Sequence, residues 1–283
     1  MAKQSTPLRQ LPSKGSRAIT TLALGDSHPL WNVSHPSIEG YARRTGADFV
    51  PILGPPLERE ALLNTKIQEI YRLLGTYERL VFVDGDMIIH PECPDLFQRV
   101  PETSVGATDE GRTDLLLTSR TMREKVLFNA CRHYRVDLEF DDAKSLGKSD
   151  SYIFFNSGLM VLSRHHRNMF IPRSTVKRIG PWVDMPFVNA MRMATGHPFC
   201  DLGFRFNYIG SLAYHRDRPF DPNEAWVVHA SGGLSAIEQK TSGKKLSRDE
   251  AMALRCRFLE NVWNHWNQSQ LTDNKPDDRQ SRT

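Results

Sequence analysis

The sequence predicts an α/β fold: one domain with a mostly parallel central sheet flanked by helices. Three observations lead there. Leu80 to Val83 is a short apolar run without alternation, the pattern of a strand buried on both faces. Before it, apolar runs and helical periodicities alternate as strand, helix, strand, helix, strand, a parallel βαβαβ unit. The run then ends in Asp84-Gly85-Asp86. That is the carboxyl end of a strand, where open α/β sheets bind ligands.

The elements follow in order. Residues 1–16 are polar, with scattered Lys and Arg, and read as a disordered leader. They lack the apolar middle of a signal peptide. Ala18 to Leu24 is the first strand, ended by Gly25-Asp26, and His28 to Trp31 reads as loop. Ser37 to Arg44 forms a helix with Ile38, Tyr41 and Ala42 on one face and Gly46 as its stop. Asp48 to Leu53 is the second strand. Asn64 or Thr65 caps a second helix, with Ile67, Ile70, Tyr71 and Leu74 at i, i+3, i+4 and i+7 and Gly75 as its end.

The second half is less regular. Ser104 to Thr108 reads as a short strand and Thr121 to Arg135 as a helix. Tyr152 to Phe155 and Leu159 to Leu162 are apolar runs separated by Asn156-Ser157-Gly158. Residues 182–194 look helical, with Pro186 acceptable in the first turn. Ala225 to Val228 is a strand ending at His229. Ser247 and Glu250 make a capping box, opening a helix with the stripe Ala251, Leu254, Phe258, Val262 and Trp266. The stripe reads as core packing. Residues 17–267 are thus one domain, and 268–283 a disordered polar tail.

Composition excludes several classes. Of 283 residues, 39% are apolar, and mean hydropathy is −0.47. No apolar run approaches the ~20 residues of a membrane span, so no transmembrane segment is expected. The net charge of +4 is spread along the chain. That suits anionic ligands such as nucleotides, and the absence of a dense basic stripe argues against nucleic acid. Cys93, Cys131, Cys200 and Cys256 are widely spaced with no Cys-x-x-Cys pair, which argues against zinc and for free thiols in a cytoplasmic protein. Homo-oligomerisation is left open.

Asp84 and Asp86 are two hard oxygen donors, suited to Mn²⁺ or Mg²⁺ ions that keep positions open for phosphate. Gly85 lets both carboxylates face one point. A neutral imidazole such as His229 can join them. The bland alternatives are a solvated Asp-Gly turn, a core histidine, a solvated face for Lys66, a plain turn at Asn156-Ser157-Gly158 and helix capping for Asp184. His165, His166 and His215 read as surface residues.

The ordered segments "LNTKIQEIYRLLGTYERLVFVDGDMII", "FFNSGLMVLSR", "WVDMPFVNAM", "FRFNYIG" and "VVHASGG" together resemble the metal-dependent GT-A glycosyltransferases. The closest look is to glycosyltransferase family 8, the glycogenin and lipooligosaccharide galactosyltransferase group. The likeness runs over about residues 18 to 235. It implies a GT-A fold, a nucleotide diphosphate sugar as donor (UDP-sugar favoured), a glycan or other hydroxyl acceptor, Mn²⁺ or Mg²⁺, and retention of configuration. It also implies roles. Asp84, Asp86 and His229 match the metal ligands, with Gly85 between the acids. Gly232 matches a glycine under the diphosphate. Asn156 matches a donor-sugar contact. Lys66 matches a lysine that holds donor phosphate or sugar. Leu24, Gly25 and Asp26 match the strand end that holds the nucleoside. Asp184 is a candidate for binding donor or acceptor hydroxyls.

Two departures stand out. The family's Lys three residues after the late glycine is Ser235 here, with Lys240, Lys244 and Lys245 as substitutes. Its Asp-Gln is Asp184-Met185, and Met185 cannot donate an amide contact. Two other readings remain: a sugar-phosphate nucleotidyltransferase, and a non-catalytic nucleotide-sugar or glycan binder. The single glycine in "LALGDSHPLW" counts against the first, and the intact Asp84, Asp86 and His229 against the second.

Overall fold

The computed structural model describes residues 16–25, 28–55, 57, 59–110, 120–149, 152–172, 178–180, 182, 184–209 and 221–273. A six-stranded sheet forms the centre. It is built from β1 (Arg17–Leu24), β2 (Asp48–Gly54), β3 (Arg79–Asp84), β5 (Val105–Asp109), β6 (Phe155–Ser163) and β7 (Phe199–Asp201), in the order β2-β1-β3-β6-β5-β7. β1 pairs in parallel with β2 and β3, and β5 with β7; β6 is antiparallel to both of its neighbours. The mostly parallel sheet expected from the sequence is therefore present, with β6 reversed in its middle.

β3 justifies its unalternated run. Leu80 and Phe82 face one core, with Ile67, Ile70, Leu73 and Leu74 of α2 (Arg59–Thr76). Val81 and Val83 face the other, with Ile38, Tyr41 and Ala42 of α1 (His28–Arg44). All four β3 residues are fully buried, each contributing roughly 1.5–3 kcal/mol of transfer free energy. α3 (Leu96–Arg99) joins α1 on its side, while α4 (Arg120–His133), α5 (Ala143–Gly147) and α6 (Met185–Thr195) add residues to the α2 side.

A second sheet of three strands carries the rest of the site: β4 (Met87–Ile89), β9 (Val227–His229) and β8 (Tyr208–Ile209), in the order β4-β9-β8. Antiparallel pairing sets Met87 opposite His229. α7 (Gly233–Ser242) and α8 (Arg248–Asp273) follow. α8 opens with the expected capping box: Glu250 N–H donates to Ser247 Oγ at 3.2 Å, and Ser247 N–H to Glu250 Oε2 at 2.8 Å.

Several elements differ from the sequence reading. α1 starts at His28, so His28 to Trp31 is helix rather than loop. Pro29 falls in the first turn, where a missing N–H costs nothing, and Leu30 and Trp31 are buried. α2 starts at Arg59, so neither Asn64 nor Thr65 is its cap; the Thr65 hydroxyl donates back to Ala61 O. α2 also continues past Gly75 to Thr76. Asn156-Ser157-Gly158 does not break β6, whose nine residues are all buried. α8 runs to Asp273, beyond residue 267, and packs on the second sheet through Leu259, Val262 and Trp266. His166 is core rather than surface: Ser163 N–H donates to its Nδ1 at 2.9 Å, and Nε2 lies 3.2 Å from Thr103 O. Burial holds its pKa down at about 4. His215 and the 1–15 leader lie outside the described residues. All four cysteines are unpaired. No helix among the described residues is long and apolar enough to cross a membrane.

The turn after β3 is tightly enclosed. A Cβ on Gly85 would stand 2.8 Å from Leu22 O, so the reason for glycine is close backbone approach. α1 braces this turn: Ser34 Oγ donates to Gly85 O at 2.8 Å, and Ile89 N–H to Ser37 Oγ at 3.1 Å. Gly85→Ala is expected to lower unfolding free energy by about 1–3 kcal/mol. Chemical denaturation checks this, and an unchanged midpoint would show that the turn has slack.

Candidate active site

The site lies at the carboxyl end of β3. Asp84 is the last residue of that strand, and Asp86 sits just before β4. His229, the last residue of β9, is delivered by its pairing with Met87. Ligand atoms of Asp84, Asp86 and His229 all lie within 4.8 Å of one another.

The donor set fits a hard divalent ion: two carboxylates and one imidazole. The orientation of His229 fits as well. Its Nδ1 lies 3.1 Å from Asn207 Oδ1, which leaves Nε2 directed at Asp86 Oδ1, 3.3 Å away. A ring held at one nitrogen by a neighbouring oxygen is how ligating histidines are oriented. Burial disfavours the imidazolium, but Asp86 more than offsets this and raises the His229 pKa.

Lys66 proves to be an interior residue rather than a solvated one. It is 5% exposed and sits mid-way along α2. Its Nζ lies 2.6 Å from Asp184 Oδ2 and 3.1 Å from Asp84 Oδ1, and donates to Ser157 O at 3.0 Å. An ammonium has three donors, and all three are engaged. It also stands 4.3 Å from the centre of the Phe82 ring. Burial would lower the Lys66 pKa, but Asp184 and Asp84 raise it, so the group stays charged.

Asp184 stands at the N-cap position of α6 but makes no side-chain capping bond. Its Oδ2 instead accepts from Ser157 Oγ at 2.8 Å and meets Lys66. Burial raises its pKa, and Lys66 and Ser157 reverse this, holding the carboxyl below its ordinary value. Asp84 goes the other way. Burial raises it, Lys66 opposes, and Asp86 and Asp184 add to the rise.

Asn156 is engaged within the chain. Its Nδ2 donates to Glu110 Oε1 at 2.7 Å, and its Oδ1 accepts from Gly158 N–H at 2.8 Å. Met185 Sδ lies 3.9 Å from the same Nδ2. Gly158 is needed here, because a Cβ would come within 2.6 Å of Met87 Cε and 3.0 Å of Asp84 Oδ2. Leu24 and Gly25 lie just beyond Leu22, which pairs with Asp84, so the β1 end shares this edge. Gly25 takes a φ of 55°, which glycine adopts without strain. Asp26 lies outside the described residues. Gly232 is the N-cap of α7, with open space where a Cβ would be. Lys244 is tied to Glu250 at 2.6 Å, and Lys240 and Lys245 are exposed.

Two residues of the site escape a reading of the sequence. Glu110 follows β5 as Asp84 ends β3, a buried acid at a strand end, with Arg123 donating to its backbone O at 2.8 Å. Arg255 of α8 pairs through Nη2 with Asp86 Oδ2, and its Nε donates to Ala230 O at 2.6 Å. The signal is there to be read: Arg255 lies four residues after Ala251 and seven before Val262, on the stripe that reads as core. Burial opposes the charge on Asp86, but His229 and Arg255 hold its carboxyl well below the usual carboxylate range.

Among solved structures, the chain is similar to a glycosyltransferase involved in glycosylation of the major capsid of PBCV-1. The TM-score is 0.51 at 12% identity, over 87% of this chain and 99% of that one. The chain has a glycosyltransferase fold. This bears out the expected GT-A architecture. An active-site mutant of LgtC gives a TM-score of 0.45 at 13% identity, over 82% of this chain and 98% of that one. No protein-family model matches the sequence. No curated protein matches it either.

Removing Lys66 would leave Asp84 and Asp184, 32% and 20% exposed, without their buried cation. Lys66→Met is expected to cost about 2–4 kcal/mol, less than breaking a fully buried ion pair because solvent partly reaches both carboxylates. Equilibrium unfolding measures this. A loss under about 1 kcal/mol, the worth of a surface pair, would mean that water reaches both carboxylates freely.

Proposed function

We propose that this chain is a metal-dependent glycosyltransferase. It transfers a sugar from a nucleotide diphosphate sugar, UDP-sugar favoured, to a hydroxyl acceptor such as a glycan. The observation that carries this is the meeting of Asp84, Asp86 and His229 at the sheet edge, beside the Lys66–Asp184 pair. The glycosyltransferase fold supports the same reading.

In this reading Asp84, Asp86 and His229 hold Mn²⁺ or Mg²⁺. Such an ion, when bound, acts as Lewis acid and template for a diphosphate leaving group. The β1 end, with Leu24, Gly25 and Asp26, takes the nucleoside, and Gly232 lets the backbone approach the diphosphate. Asp184, kept ionised by Lys66 and steadied by Ser157, accepts hydrogen bonds from reacting sugar hydroxyls. Its fixed geometry replaces the entropy cost of orienting them. Lys66 acts by holding Asp184 and Asp84 in place rather than as a free phosphate hook. Asn156, its amide steadied by Glu110 and Gly158, contacts the donor sugar. Retention of configuration follows the family resemblance. The direct test is release of nucleotide diphosphate from UDP- and GDP-sugars with Mn²⁺. No release from any nucleotide sugar, with or without acceptor, would refute the assignment.

Two outcomes are expected. UDP with Mn²⁺ should raise Tm by several degrees, and either alone should give much less. A ligand at ~100 times its Kd stabilises by about 2.7 kcal/mol, and each kcal/mol is worth roughly 2–4 °C in somewhat smaller domains. GDP takes the place of UDP if the base pocket prefers guanine. Asp84→Asn should abolish the synergy, and equal shifts with and without Mn²⁺ would remove the metal from the reading. Asp184→Asn should lower kcat and kcat/KM equally, the mark of a transition-state contact. Unchanged kinetics would exclude it from the chemistry.

A further inference from the structure

Arg255 belongs to none of the sequence motifs, yet it reaches the centre of the site. It comes from the second turn of α8, and its side chain is 19% exposed. One arm meets Asp86 Oδ2 and another donates to Ala230 O. Nη1 has no partner among the described residues. Asp86 O in turn accepts from Ala230 N–H at 2.9 Å. The guanidinium therefore spans the Asp86 turn and the segment after His229.

This position creates a conflict. A cation paired to one oxygen of Asp86 opposes a second cation on the other, so Arg255 weakens metal binding while no anion is present. A diphosphate arriving with the metal offers that guanidinium a better partner. Planar guanidinium groups match phosphate oxygens with paired hydrogen bonds, and among the described residues no group holds Nη1 back from the exchange. Lys66 is fully engaged, Lys244 is tied to Glu250, and Lys240 and Lys245 are exposed.

We propose that Arg255 is an exchangeable clasp: it holds Asp86 in the ligand-free protein and transfers to the diphosphate when metal and nucleotide bind together. It thereby couples α8 to donor binding and disfavours metal alone. This rests on the nucleotide-sugar reading above. A static clamp would behave differently, because losing it would loosen Asp86 and weaken metal and nucleotide binding together.

The experiment measures Mn²⁺ alone, by electron paramagnetic resonance of the free ion, and then UDP and GDP at saturating Mn²⁺, by calorimetry. The full chain, Arg255→Gln and Arg255→Lys are compared, with the unliganded Tm reporting folding. The clasp requires opposite changes in Arg255→Gln. Mn²⁺ alone should bind at least about fivefold tighter, since a repelling unit charge is gone. Nucleotide should bind roughly tenfold or more weakly, as for a lost charge-assisted hydrogen bond. Arg255→Lys keeps a point charge without the fork, so its nucleotide affinity should fall between. It serves as the test if the glutamine variant does not fold. Parallel weakening of both ligands, or no change in either, overturns the clasp while leaving the functional reading intact. Failure of the wild-type chain to bind UDP or GDP with Mn²⁺ overturns both.

Discussion

The structure is organised by charge crowding. Asp84, Asp86 and Asp184 converge at one sheet edge, and Glu110 lies close by through Asn156. Carboxylates crowded and partly buried in this way are costly to keep charged without cations beside them. The chain supplies Lys66 from α2, Arg255 from α8 and His229 from β9. Each neutralising group comes from a different element, so the placement of those elements and the ionisation of the site are one problem.

That problem explains the smaller sheet. β3 alone would leave Asp86 on an unsupported turn. β4 continues past the turn, β9 pairs with it, and the pairing of Met87 with His229 puts an imidazole on Asp86. Ser34 and Ser37 of α1 close the turn from the far side. Gly85 and Gly158 are required by proximity, since a side chain at either would strike Leu22 O or the Met87 and Asp84 side chains.

Much of this is legible in the sequence, and the gaps have physical causes. Leu80 to Val83 announces a two-faced strand, and Asp84, Asp86 and His229 are readable from motif order. Lys66 and Arg255 are harder. Each lies on the buried line of its helix, with Ile70 and Leu73 in one case and with Val262 and Trp266 in the other. A charged residue on an apolar stripe is a visible anomaly, but its partner lies on another element and periodicity cannot name it. The start of α1 is hidden because Pro29 and Pro36 suggest a loop. Burial of Leu30 and Trp31 outweighs that local preference. Asn156-Ser157-Gly158 misleads because three small or polar residues look like a turn, whereas here they are a buried strand segment shaped around the site.

The separation between Asp86 and Arg255, 169 positions, has a consequence for biosynthesis. A ribosome delivers residues at about 5–20 per second, so roughly ten to thirty seconds pass between the emergence of the two. Through that interval β3 and its helices have the means to collapse, while the acidic edge lacks its balancing arginine and its β9 histidine. Contacts this distant in sequence form late, because loop closure must precede them. Until then Lys66, already synthesised, is the cation beside Asp84, and Asp86 is without the two partners that hold it in the finished fold. Ordered synthesis thus leaves the Asp86 turn unclasped until α8 has arrived to close it.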